Sequence, residues 1–140
     1  MWIPPRSPYN LLQEKLHSDP WRLLVGCILC NLTRRVQAEP ILREIFDRWP
    51  DATSLASADE EELRSLIKPL GLSSRRAKIL IRFSSAFSEG GWTDVTDLPG
   101  IGKYASDSYR IFCLGDWRSV EPRDHALNWY HTWLKQTTAD

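Results

Sequence analysis

No stretch of this sequence alternates apolar and polar residues, no apolar run approaches the ~20 residues of a membrane span, and neither sign of charge is in excess. The missing alternation argues against β-strands, and the missing apolar run against a transmembrane helix. With no signal peptide after Met1, a soluble intracellular chain is expected. Eighteen basic residues balance 18 acidic ones, which excludes a histone-like coat and predicts modest nonspecific affinity for nucleic acid. Cysteine is scarce as well: Cys27, Cys30 and Cys113 are the whole set. Cys27 and Cys30 have C-x-x-C spacing but sit inside the apolar run Leu23–Leu32, with neither a βαβ context nor a second pair. They are expected to be buried thiols, neither a redox pair nor zinc ligands.

What is present suits one all-α domain over residues 1–140, with Met1 lying directly against Trp2-Ile-Pro-Pro5 as in a piece of a longer protein. Seven tryptophans can close a small helical core. Ser7-Pro8 and Asp19-Pro20 each read as an N-cap followed by a first-turn proline. The second opens a helix to about Leu32 that is apolar nearly all round. Another helix is expected from Val36 to Trp49, with Pro40 in its first turns or kinking it. Asp51 caps a short helix, and Ser57-x-x-Glu60 reads as a capping box. Ser73 or Ser74 opens a helix that Gly90-Gly91 stops. Helices over Lys103–Leu114 and from Asp124 through Leu134 complete the chain.

The stretch Leu98-Pro-Gly-Ile-Gly-Lys-Tyr104 is a turn between helices, where Gly100 and Gly102 permit close approach of another backbone. Leu98 and Ile101 can pack inward while the amides at the start of the next helix face out as an anion site beside Lys103. The same glycines also suit a bare structural turn. Asp124, behind Pro122, reads as an N-cap. A carboxylate held by helix amides is also ionised and rigid, as a charge-stabilising catalytic group must be, so the two readings are compatible. The basic residues Arg34-Arg35, Arg75-Arg76, Lys78, Arg82, Lys103 and Arg123 fall near turns, apart from the acidic block Asp59–Glu62. That segregation permits a DNA-facing side, although charge runs are more often solvated faces.

Taken together, Leu98–Tyr104, Asp124, Pro4-Pro-Arg-Ser-Pro8, Asp19-Pro-Trp21, Lys68-Pro-Leu-Gly-Leu72, Arg76-Ala-Lys78 and Asp107-Ser-Tyr-Arg-Ile-Phe112 resemble the helix-hairpin-helix, Gly-Pro-rich-loop-Asp superfamily of DNA base-excision glycosylases. The likeness is closer to the branch formed by the glycosylase domains of methyl-CpG-binding domain protein four, and it covers practically the whole chain. It implies a two-lobed helical fold with DNA in the cleft between lobes. It also implies removal of thymine or uracil mispaired with guanine, by a monomer acting on duplex DNA in the nucleus. On this resemblance Asp124 is the catalytic aspartate, Gln13 and Tyr104 contact the extruded base, and Leu72 is a wedge entering the duplex. Apart from the family, Gln13 reads as a polar helix position and Leu72 as a helix-stop contact beside Gly71.

Tyr104 stands where bifunctional relatives carry a Schiff-base lysine, so no strand cleavage through an imine is expected. Two positions depart from the pattern. Leu32 replaces an arginine that fills the gap left by the flipped base, and Ala126 replaces a lysine. No cofactor is expected beyond a monovalent cation at the hairpin carbonyls. Iron–sulfur cysteines are absent from the 16 residues after Asp124 (140 − 124). Two other readings remain: a noncatalytic hairpin module that only binds DNA, and a helical interaction domain using the Asp59–Glu62 face.

Overall fold

The computed structural model describes residues 2–31 and 33–138, and among these every regular element is helical. Helices α1 (Leu12–Leu16), α2 (Pro20–Cys30), α3 (Arg35–Arg48), α4 (Ala52–Ala56), α5 (Glu60–Ile67), α6 (Ser73–Glu89), α7 (Lys103–Tyr109) and α8 (His125–Thr138) follow in order. Short 3₁₀ turns at Lys68–Leu70 and Val95–Asp97 precede α6 and the glycine hairpin. Helix α7 widens into a π-helical turn over Arg110–Leu114, so the expected Lys103–Leu114 helix is continuous but not α throughout.

The apolar α2 runs through the middle, with Trp21 and every residue from Leu23 to Leu29 buried. Asp19 caps it by accepting from the Arg22 amide (3.2 Å), and it ends at Cys30, two residues earlier than its composition suggests. Helices α3 to α6 gather on one side of α2. Trp21 donates from Nε1 to Ser84 Oγ (3.0 Å) and packs against the tilted ring of Phe46, tying α6 and α3 to it. The other lobe contains α1, α7 with its π turn, and α8, where Phe112 packs on Tyr130 at 4.6 Å between ring centroids. The N-terminal segment straps this lobe: Trp2 Nε1 donates to the Ile111 carbonyl (2.8 Å), and Tyr130 donates to the Pro5 carbonyl (2.7 Å). A Cβ at Gly115, whose φ is +74°, would lie 2.7 Å from the Trp2 ring, so the glycine gives that ring its seat.

Two expected caps are corrected. Ser7-Pro8 opens no helix, because the Glu14 carboxylate captures Ser7 instead, accepting from its amide (2.9 Å) and its hydroxyl (2.6 Å). Glu14 also accepts from the Leu11 amide (2.9 Å), which places the start of α1 at Leu12. Ser57 closes α4, and Asp59 is the residue that caps α5, accepting from the Glu61 and Glu62 amides. Asp51 caps α4 as expected. Three of the four residues of the acidic block are engaged within the chain: Asp59 as that cap, Glu61 with Arg64 (2.7 Å), and Glu62 with Arg48 (3.1 Å). Pro40 lies inside α3, in its second turn. No described helix is long and apolar enough to cross a membrane.

Candidate active site

Between the lobes the hairpin Leu98–Gly102 descends onto α2 and α6. Leu98 and Ile101 are buried, as an inward-packing pair should be, and the turn is closed by the Ile101 amide donating to the Leu98 carbonyl (3.3 Å). Gly100 adopts φ +80°, and a Cβ there would meet Ile79 Cγ2 at 2.5 Å. The tight neighbour of Gly100 is thus a side chain of this protein. Around Gly102 nothing lies within 4 Å of a built Cβ, which leaves that side of the turn open to an approaching molecule. Among the described residues no acceptor meets the amides of Gly102, Lys103 and Tyr104, as the first turn of a helix dictates. Lys103 does not reach out alone: its ammonium donates to Asp107 Oδ2 at 2.9 Å, four residues along α7, and Asp107 is buried.

A cleft of about 310 Å³ opens where α2, the start of α6 and the hairpin meet. Leu72, Arg75 and Arg76 face Gly100, Gly102, Lys103 and Tyr104 across it. Leu72 precedes α6 with φ +48° and is 61% exposed, an uncommon and unfavourable setting for a leucine. A helix-stop contact would bury the side chain, whereas here it projects into solvent. Arg76 is buried and spans the cleft's base, donating to the carbonyls of Asn31 (2.8 Å) and Leu70 (3.4 Å). It therefore ties the end of α2 to the loop that carries Leu72.

A second cleft of about 290 Å³ lies on the other side of Tyr104 and contains Gln13 and Asp124. Gln13 is buried, and its Nε2 donates to the Tyr104 hydroxyl (3.0 Å) and to Ser108 Oγ (3.1 Å). Burial raises the Tyr104 phenol well above the ordinary tyrosine value, and the negative charges that Cys27, Cys30 and Asp124 carry when ionised push it the same way. Tyr104 is therefore a neutral hydroxyl at any physiological pH, with its own proton not committed to Gln13. Asp124 caps α8: Oδ2 accepts from the Leu127 amide (3.0 Å), and Oδ1 meets no donor among the described residues. The carboxylate is exposed, held by one oxygen while the other is open to the cleft.

Gln13, Tyr104 and Asp124, which span 111 positions of the sequence (124 − 13), thus share one cleft. Leu72 and the hairpin line the adjoining one, with Tyr104 common to both. The expectation for Leu32 falls outside the described residues. Tyr9, Cys30, Thr33, Arg35, Ala126 and Trp129 also line the Asp124 cleft, beside Leu11 and Leu12, and sequence spacing signals none of these as a group. Cys27 is buried, but Cys30 is only half-buried in the cleft wall, which corrects the expectation of two buried thiols. Burial drives the Cys27 thiol up to about 12 and the Cys30 thiol up to about 11, so both are protonated and poorly nucleophilic at neutral pH. No group of His, Cys, Asp and Glu with metal-holding geometry occurs among the described residues.

Residues 25–133 match the model of the HhH-GPD superfamily of base excision DNA repair proteins. The chain is 48% identical over 134 residues to a methyl-CpG-binding domain protein 4-like protein of Arabidopsis thaliana, covering 96% of this chain and 30% of that protein. It is 35% identical over 112 residues to a thymine-DNA glycosylase of Aeropyrum pernix, covering 75% of this chain and 49% of the relative. It therefore spans half or less of the length of these relatives. Its fold is similar to that of a thermostable thymine-DNA glycosylase, with a TM-score of 0.65 at 20% identity over 91% of this chain and 70% of that one. The chain belongs to the HhH-GPD superfamily of base excision DNA repair proteins.

Proposed function

We propose that this chain is a monofunctional DNA glycosylase that removes thymine or uracil from G·T and G·U mispairs. The observation that carries the proposal is a carboxylate fixed by a helix amide through one oxygen and open at the other, in a cleft shared with the Gln13–Tyr104 pair. A base stacked in a duplex is out of reach of that carboxylate. The target must be extruded at a cost of a few kcal/mol, least at a mispair. Leu72 would occupy the vacated stack from one side and Leu32 would plug it, while the hairpin amides and Lys103 hold a nearby phosphate.

As the N-glycosidic bond breaks, its electron pair leaves with the base and positive charge develops on the sugar. Asp124 stabilises that charge, water bonds to the anomeric carbon and gives its proton to the carboxylate, and that proton passes through solvent to the departed pyrimidine anion, restoring the carboxylate. The products are a free pyrimidine and an abasic site. Gln13 and the neutral Tyr104 would read the polar edge of the base. Tyrosine forms no imine, and Lys103 is engaged by Asp107, so the strand is left intact. A monovalent cation on the hairpin carbonyls belongs to the same proposal; it would supply charge for a phosphate and no chemistry at the sugar. The protein would act as a monomer, in the nucleus, on mispaired duplex DNA.

End-labelled duplexes containing G·T, G·U or only normal pairs, incubated with the protein and then cleaved with alkali, test this. Alkali-dependent cleavage confined to the mispairs is expected, with no adduct trapped by borohydride. Binding without release on every duplex would overturn catalysis in favour of a binding module. A stoichiometric adduct would overturn the monofunctional reading.

A further inference from the structure

Two large aromatic side chains stand exposed at the rim of the Asp124 cleft, Tyr9 at 45% and Trp129 at 55%. Exposure of this size is unfavourable for a tryptophan. The other six tryptophans are buried or partly buried, Trp21, Trp49 and Trp117 in the core and Trp2, Trp92 and Trp133 against it. The exposed pair is nevertheless built with care. The Tyr9 and Trp129 rings lie 5.9 Å apart between centroids, inclined by 35°. The turn bearing Tyr9 is fixed at both ends: the Tyr9 amide donates to Ser7 Oγ (3.1 Å), and Arg35 donates to the Asn10 carbonyl. Asn10 itself holds φ +52°, a left-handed conformation that asparagine tolerates better than most residues. Tyr9 is thus anchored against Trp129 although neither ring is in the core.

We propose that Trp129, backed by Tyr9, is a stacking surface for the nucleobase extruded into the Asp124 cleft. The proposal rests on the reading that this cleft receives a base, and it names a substrate-contacting residue beyond Gln13, Tyr104 and Asp124. Trp129 is one helical turn beyond Ala126, on the same face of α8 and in the same cleft. Ala126, which lines the same cleft, adds only a methyl group there. A spacing of 5.9 Å is too short to admit a base between the two rings, because two contact layers of about 3.5 Å are needed. The base must then lie on the outer face of the indole, with Tyr9 behind it as support. Stacking suits a planar pyrimidine and carries no sequence information, so this surface would add affinity while Gln13 and Tyr104 discriminate.

The test compares wild type, Trp129→Ala and Trp129→Phe on two duplexes. One holds thymidine opposite guanine with a 2′-fluoro group that blocks cleavage, and the other holds a tetrahydrofuran abasic analogue opposite guanine. Trp129→Ala is expected to weaken binding to the first duplex by about ten- to hundredfold and to leave the second within twofold. Trp129→Phe is expected to keep most of the affinity for the first. An equal loss on both duplexes would show a backbone contact, and no loss on either would show that the platform meets no base; each overturns the proposal. Wild-type base release from an unmodified G·T duplex is measured in parallel. Its absence would defeat the glycosylase reading, while the contrast between the two duplexes, which needs no chemistry, still decides the platform.

Discussion

Asp124 and Leu72 are the residues whose settings say most. Asp124 serves as a cap through one oxygen, so Asp124→Asn keeps an acceptor for the Leu127 amide and should fold normally. Base release from G·T duplexes under single-turnover conditions should fall by about two or more orders of magnitude, with binding retained. A folded variant with the wild-type rate would remove Asp124 from the chemistry. Leu72 gives no stability where it stands, since it is 61% exposed in a left-handed conformation. Leu72→Ala should therefore leave the melting temperature nearly unchanged. It should weaken binding to duplex G·T by an amount comparable to the cost of unstacking one base step, and do less to a single-stranded target. Its salt dependence should match wild type, because no phosphate contact is lost.

The hairpin is an element whose two glycines do different things. Gly100→Ala forces a positive φ on alanine and drives Cβ into Ile79, so a loss of about 1–3 kcal/mol in denaturant unfolding is expected. Ile79→Ala should relieve part of that loss in the double variant. Gly102→Ala meets nothing in the free protein and should leave stability within ~0.5 kcal/mol. DNA affinity should nevertheless fall, and unchanged affinity would mean that the open side of the turn is not where a phosphate approaches. Helices whose punctuation is local were legible in the sequence: Asp19 and Asp51 cap α2 and α4, and Gly90 ends α6. Ser7 and Ser57 were misread because stronger carboxylate partners stood nearby, Glu14 closing a wider loop on Ser7 and Asp59 lying closer to the α5 amides. Beyond Gln13, Tyr104, Asp124 and Ala126 the cleft wall was not legible. Tyr9, Thr33 and Trp129 come from three separate segments, and a tryptophan in an apolar helix reads as core until its face is known.

At the scale of the whole molecule the lobe that carries Asp124 is closed by the strap from Trp2 to Pro5. Trp2→Ala removes a hydrogen bond to the Ile111 carbonyl and uncovers Gly115. A loss of about 2 kcal/mol is expected by denaturant unfolding, below the ~3–5 kcal/mol of a fully buried tryptophan. Activity per folded molecule should hold, since Trp2 lines neither cleft. The strap's contacts join residues 109 and 125 positions apart, whereas α4, α5 and α6 pack on near neighbours in sequence. Loop-closure entropy delays such distant pairings. The α3–α6 lobe is thus free to form early, while the lobe that carries Asp124 waits for both ends of the strap. Time, as well as geometry, is set by this closure: a freshly synthesised chain would pass through a stage in which the α6 wall of the Leu72 cleft is in place and the carboxylate is not.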